Sequence, residues 1–159
     1  MCGADFDSDG DKDLAVANYG SDNVSILPNH GDATFEGVID YGVGSGPRSV
    51  LTCDLNGDGD YDLAVANGIS DDVSILVNNG DGTFATAVDY TVGDYPVSVY
   101  SADLDGDIYK DIAVANCSSN SVSILINHGD ATFEGVVDYG VGSGPRSVFL
   151  CDLDNDGDR

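Results

Sequence analysis

Apolar positions in this chain come in short runs of six to nine residues rather than in helical stripes, separated by stretches rich in Gly, Asn, Asp or Pro. In the stretch from 47 to 92 the runs are Arg48 to Cys53, Tyr61 to Ala66, Asp72 to Val77 and Phe84 to Val92. Asn67-Gly68 and Asn79-Gly80-Asp81-Gly82 supply turns after the second and third runs,. Short β-branched and apolar runs between turn signals predict strands, four to a unit. Pro47 precedes the first run, where its missing N–H interrupts no interior ladder.

The same four-run pattern recurs. DFDSDGDKDLAVAN begins at Asp5, DLNGDGDYDLAVAN at Asp54, DLDGDIYKDIAVAN at Asp103 and DLDNDGDR at Asp152, a constant spacing of 49 residues. Pro47, Pro96 and Pro145 keep that period, as do Phe35, Phe84 and Phe133. Residues 24–50 and 122–148 agree at 25 of 27 positions, which adds a second period of 98. We therefore read residues 1–159 as a single repeat domain with units 5–53, 54–102 and 103–151 and a partial fourth, 152–159. Tandem four-stranded units of this length predict an all-β fold of β-propeller blades, about three four-stranded antiparallel ones. The rungs of a β-helix are shorter, and the glycine-rich nonapeptide of β-rolls is absent.

Composition sharpens the picture at one place in each unit. The chain has 29 acidic and 5 basic side chains and a formal net charge of −24. That charge makes nucleic acid and anionic membrane surfaces poor partners, and no apolar run is long enough for membrane insertion. Only Glu36 and Glu134 are Glu, and seventeen of the 29 acids fall in the segment joining the first and second strands of a unit. Each such segment reads D-x-[DN]-x-D-x-x-x-D. The first loop offers Asp5, Asp7, Asp9, Asp11 and Asp13; the second Asp54, Asn56, Asp58, Asp60 and Asp62; the third Asp103, Asp105, Asp107, Tyr109 and Asp111. The fourth offers Asp152, Asp154, Asp156 and Asp158 and lacks the ninth position.

Alternating oxygen ligands converge on one point when the backbone curls, and Ca²⁺ accepts six to eight of them. The seventh position contributes through its carbonyl. Uncompensated, such clustered carboxylates repel one another. Calcium is accordingly the expected ion, ahead of Mg²⁺, which keeps its waters. Gly10, Gly59 and Gly157 stand at the sixth position, where a sharp turn favours positive φ; Ile108 stands there in the third loop, so that loop is expected to bind more weakly. These are not EF-hands, because the twelfth position is Val16, Val65 and Val114,.

SVLTCDLNGDGDYDLAVANG, DDVSILVNNGDGTF and AVDYTVGDYPVSV resemble the FG-GAP and VCBS repeats over essentially the whole chain. The resemblance implies calcium loops between the first two strands of each blade, and extracellular or cell-surface proteins in which the propeller binds, displays or spaces. VANYG, VANGI and VANCS replace the G-A-P segment, which favours the VCBS-like branch.

Little else points to chemistry. His30 and His128 are one recurring turn position, and no Ser/His/Asp or Cys/His constellation can be assembled from them. The four cysteines, Cys2, Cys53, Cys117 and Cys151, are expected as free thiols. Arg48 and Arg146 begin first strands, and the eight tyrosines offer stacking surfaces for sugars. Asn23 and Asn116 head glycosylation sequons if the chain is secreted in a glycosylating organism. The expected function is a non-enzymatic, calcium-binding propeller segment with a structural or adhesive role; the alternative is a carbohydrate-binding, lectin-like propeller. Closed propellers contain four to eight blades, so three units are expected to self-associate, two copies giving six blades, or to be joined by further repeats of the same polypeptide.

Overall fold

The computed structural model describes residues 1–150, and the fourth acidic loop (Asp152, Asp154, Asp156, Asp158) lies outside them. Twelve strands are present and no helix occurs among the described residues. They are β1 (Cys2–Ala4), β2 (Asp13–Asn18), β3 (Asn23–Leu27), β4 (Ile39–Gly42), β5 (Pro47–Cys53), β6 (Asp62–Asn67), β7 (Asp72–Leu76), β8 (Val88–Thr91), β9 (Pro96–Ala102), β10 (Asp111–Asn116), β11 (Ser121–Leu125) and β12 (Val137–Gly140). They form three four-stranded sheets in the orders β1-β2-β3-β4, β5-β6-β7-β8 and β9-β10-β11-β12. Every pairing is antiparallel. Each sheet is one blade, and the acidic loop falls between its first two strands. A unit counted from the loop therefore cuts a blade after its first strand.

Two differences from the expected strands have local causes. The fourth strand of the middle blade starts at Val88 rather than Phe84. Phe84 forms an isolated bridge with Asn78, as Phe35 does with Asn29 and Phe133 with Asn127, and this bridge closes the loop after the third strand. One period of 49 beyond Ser98–Ala102 of β9 the repeat predicts the first strand of a fourth blade, at 147–151. Residues 145–150 form no strand, although Val148 N donates to Ser98 Oγ (3.3 Å) much as Val99 N donates to Ser49 Oγ (3.4 Å) one blade earlier. The segment thus lies against β9 as a first strand does, with no second strand pairing to it among the described residues.

Burial on both sheet faces explains why β6 and β10 read as continuous apolar runs, whereas β2, at the end of the stack, is fully buried only at Asp13 and Ala15,. Leu63 and Val65 pack with Ala4, Phe6, Ala15, Val24 and Ile26 of the first blade, whereas Ala64 and Ala66 pack with Ile112, Val114 and Leu125 of the third. Alternation along β6 therefore assigns odd residues to one neighbour and even residues to the other. Aromatic rings reinforce the seams: Phe84 meets Phe6 and Tyr41 edge-on at 5.4 and 5.3 Å, and Phe133 meets Tyr90 at 5.2 Å,.

At the opposite end of the blades from the acidic loops, a bulge after Pro47 leaves Arg48 out of the ladder,. Its guanidinium stacks between the rings of Tyr19 and Tyr95, 4.7 and 4.2 Å from their centroids,. Among the described residues Cys2, Cys53 and Cys117 are free thiols, as expected, and Cys151 lies outside those residues. Burial pushes Cys53 up to about 12 and Cys2 up to about 11, which leaves both unreactive at neutral pH,.

Candidate metal centre

Each acidic loop is folded by its own side chains. The first carboxylate anchors two backbone amides: Asp5 accepts from Asp9 N (3.2 Å) and Gly10 N (2.9 Å), Asp54 from Gly57 N (2.7 Å) and Gly59 N (3.0 Å), and Asp103 from Gly106 N (2.7 Å) and Ile108 N (3.0 Å). The third and fifth positions make Asx turns two residues ahead. Asp7, Asn56 and Asp105 accept from residues 9, 58 and 107, and Asp9, Asp58 and Asp107 accept from residues 11, 60 and 109,. The backbone is thereby curled before any ion is considered.

The ninth-position aspartate fixes the loop to the blade. Asp13, Asp62 and Asp111 are buried. One oxygen of each accepts from the amide of loop position two (Phe6, Leu55, Leu104; 2.9, 2.8 and 2.7 Å) and the other from Asn29, Asn78 or Asn127 (2.8, 2.8 and 2.9 Å). Burial pushes Asp62 up to about 6 despite those bonds, and it raises Asp111 too,. Asp7 is also raised, by desolvation first and then by the neighbouring charges of Asp13, Asp9 and Asp5.

In the first loop Asp5, Asp7 and Asp13 bring carboxylate oxygens within 4.8 Å of one another, and in the third Asp103, Asp105 and Asp111 do the same. These acidic clusters could hold a metal ion, and an all-oxygen donor set suits a hard cation. In the second loop Asn56 takes the place of one carboxylate, and its amide donates to Asp58 Oδ2 at 2.7 Å. Asp9, Asp58 and Asp107 lie outside the convergent groups of three. The seventh-position side chains turn away altogether. A Cβ on Gly80 would stand 2.7 Å from the Asp60 carboxylate, and one on Gly129 would stand 2.6 Å from the Tyr109 ring. Asp11 likewise lies against Gly31. Their side chains are therefore not among the groups gathered at the loop centre.

Ile108 adopts φ +80°, beside +98° for Gly10 and +95° for Gly59, with its side chain 77% exposed. The β-branched residue follows the loop rather than reshaping it. A second left-handed position escaped the sequence reading. Position four is Ser8 (φ +63°), Gly57 (+76°) and Gly106 (+85°), and the two glycines were its signal. Also missed was the asparagine after each third strand. Asn29, Asn78 and Asn127 donate from Nδ2 to the carbonyls of Lys12, Tyr61 and Lys110 (3.0, 3.3 and 3.0 Å). Asn78 and Asn127 also reach the preceding blade, at Phe6 O (2.9 Å) and Leu55 O (2.7 Å). Their 49-residue recurrence was visible; their partners, 72 residues away, were not.

Fold and loops together define an array of propeller blades whose first inter-strand loop is acidic. The FG-GAP-like repeat model matches residues 5–65, 54–114 and 103–159, and the chain belongs to that family. Among solved structures it is similar to an Agrocybe aegerita lectin described as recognising non-reducing terminal N-acetylglucosamine. That similarity has 24% identity and a TM-score of 0.57 over 85% of this chain and 36% of the lectin. It is also similar, at 22% identity and a TM-score of 0.45, to a Photorhabdus luminescens Tc holotoxin pore over 85% of this chain and 7% of the other. The chain thus spans about a third of the lectin's length. No curated protein matches it.

Proposed function

We propose that this chain is a calcium-stabilised, non-enzymatic part of a propeller in an extracellular or cell-surface protein, where its blades serve structure and interaction. The observation that supports this reading most directly is the convergence of Asp5, Asp7 and Asp13, and of Asp103, Asp105 and Asp111, on pre-curled loops. Carboxylates held this close repel one another until a cation offsets them. Asp5 and Asp7 with Asp13 would hold the ion in the first loop, Asp54 and Asn56 with Asp62 in the second, and Asp103 and Asp105 with Asp111 in the third. The carbonyls of Asp11, Asp60 and Tyr109 complete each set. The ion would tie the exposed front of the loop to the buried aspartate at its back, and through Asn78 and Asn127 to the next blade.

The dissociation constants expected for extracellular modules are on the order of 10⁻⁴ to 10⁻³ M. One site at a hundredfold excess of free calcium over its dissociation constant adds about 2.7 kcal/mol. Thermal melting in millimolar calcium and in chelator tests the reading: the expected result is a higher melting temperature with calcium, and equal temperatures would remove the metal's structural role.

A further inference from the structure

We infer that Asn56 and Gly57 form a self-modification site, at which the second acidic loop converts its own asparagine into the aspartate that the other two loops carry at the same position. The starting observation is a difference between the loops. Position three is Asp7 in the first and Asp105 in the third, each a member of a convergent group of three carboxylates. In the second loop it is Asn56, and the next residue is Gly57. A backbone nitrogen can attack the side-chain carbonyl carbon of the asparagine before it, and glycine puts no Cβ in the way. The chain has three such pairs, Asn56-Gly57, Asn67-Gly68 and Asn79-Gly80.

Only the first pair is arranged for that attack. The Asx turn folds the Asn56 side chain back over its own backbone, with Oδ1 accepting from Asp58 N at 3.1 Å. That N–H polarises the carbonyl under attack and stabilises the charge its oxygen gains, as an oxyanion donor does. The attacking nitrogen, Gly57 N, directs its hydrogen at Asp54 Oδ1 (2.7 Å), and the departing nitrogen, Asn56 Nδ2, directs one of its own at Asp58 Oδ2 (2.7 Å). Gly57 is exposed, so water reaches the site. At the second pair the same groups are locked. Asn67 is completely buried, its Oδ1 meets no donor, its Nδ2 is held by Asp72 and Ser74, and Gly68 N donates to the Gly46 carbonyl (2.9 Å). At the third, Gly80 N donates to Asn78 Oδ1 (3.0 Å) and Asn79 Nδ2 to Thr83 Oγ1 (2.9 Å). Neither of those pairs offers a donor to the carbonyl oxygen or a carboxylate to the attacking N–H.

The reaction balances with water as its one outside reagent. A bond forms between Gly57 N and Asn56 Cγ, and the Cγ–Nδ2 bond breaks. The hydrogen given up by Gly57 N ends on the departing nitrogen, which leaves as ammonia. Water then opens the five-membered imide. Opening at Cγ restores the main chain and leaves aspartate at position 56; opening at the main-chain carbonyl leaves isoaspartate, with one more atom in the backbone. Asp54 on Gly59 N (3.0 Å) and Asp58 on Asp60 N (2.9 Å) hold the loop in shape on either side, which favours the first route. The product then carries the carboxylate that the second loop lacks. That gain of a ligand rests on the calcium reading, whereas the reaction itself does not.

The test keeps the full, freshly purified chain at neutral pH in chelator, both folded and unfolded in guanidinium chloride. Peptide mapping by mass spectrometry follows the exchange of NH₂ for OH at each asparagine. In the folded chain Asn56 is expected to react at least as fast as in the unfolded one. Asn67 and Asn79 should react about a hundredfold more slowly folded than unfolded, the loss that one missing oxyanion donor causes in an enzyme. A folded chain in which Asn56 reacts more slowly than when unfolded, or in which Asn67 or Asn79 keeps pace with it, would overturn the proposal. The Asn56→Asp variant supplies the product directly, and calorimetry is expected to find calcium bound about tenfold more tightly than in the parent, since affinity follows the number of charged ligands. Isoaspartate as the sole product, or a variant that binds calcium no more tightly, would overturn the gain of a ligand. Failure of the calcium reading is distinct: neither chain would then bind calcium, and the rates in chelator would stand unchanged.

Discussion

Ile108 holds a left-handed backbone that glycine holds in the first two loops. The crowding of Cβ against the carbonyl disfavours that conformation by about 1–2 kcal/mol for an L-residue. With its side chain in solvent, Ile108 gains little packing in return. Ile108→Gly is therefore expected to stabilise the chain by roughly 0.5–1 kcal/mol, since the flexibility it adds to the unfolded chain offsets part of the relief. It should also tighten calcium in the third loop. Urea denaturation and calorimetry on that loop check both effects; a variant less stable than the parent in calcium would refute the strain argument. A second prediction concerns Asp62, whose value near 6 lies above that of an unfolded aspartate. The folded chain then holds this proton more tightly than the unfolded one. The resulting stability is complete below about pH 4 and is lost as the pH rises through 6. In chelator the melting temperature should thus rise between pH 7 and pH 5, with Asp7 and Asp111 adding in the same direction. In calcium the slope should reverse, because protons compete with the ion. A chelated chain that loses stability over this interval would contradict the assignment.

At the scale of elements, one repeat position meets three environments. Leu14, Leu63 and Ile112 align at the second residue of β2, β6 and β10, on the face that meets the preceding blade. Leu63 and Ile112 are completely buried, whereas Leu14, in the first blade, is half-buried. Leu63→Ala is expected to destabilise by about 3 kcal/mol, as buried Leu truncations do, and Leu14→Ala by about 1 kcal/mol. Equilibrium unfolding of the two variants provides the comparison, and equal losses would mean that the blades do not stack as described. The seam owes its definition to several contacts acting together: the Phe84 ring against Phe6 and Tyr41, the Asn78 amide on the Phe6 carbonyl, and Arg48 held between Tyr19 and Tyr95. Each joins residues of different blades, so a blade alone would lose them all.

For the whole molecule the consequence is a stack with two outer faces. Phe35 is 38% exposed although Phe84 and Phe133, at the same repeat position, are buried against a preceding blade. On the other side Tyr139, Val141 and Phe149 stand exposed, whereas the equivalents of the first two in the other blades, Tyr41, Tyr90, Val43 and Val92, are half-buried or buried. Apolar surface repeated at both ends, each shaped like a blade seam, is expected to drive association of the isolated chain. Light scattering at micromolar concentration should therefore report an oligomer, with six blades in a head-to-tail dimer. A soluble monomer would show that the outer faces are tolerated in water.

The sequence by itself determined the repeat, its period, the four strands per blade and the loop that carries the acids, because each rests on local chemistry. Alternating apolar runs make strands, Asn and Gly make turns, and aspartates at alternate positions make a curled loop. Even the strained site at Ile108 was legible, since one β-branched residue stood where the other loops have glycine. What tertiary structure decided is everything that depends on contacts between strands of a blade and between blades. It separates the residues of β6 between two neighbours, and it turns the side chains of Asp11, Asp60 and Tyr109 out of the loops. It buries the ninth aspartate between two backbone amides. The aspartate's partners lie 7 and 16 residues away within one blade, brought in by the pairing of its strands, whereas the sharing of β6 and the reach of Asn78 and Asn127 across 72 residues come only from the stacking of one blade on the next.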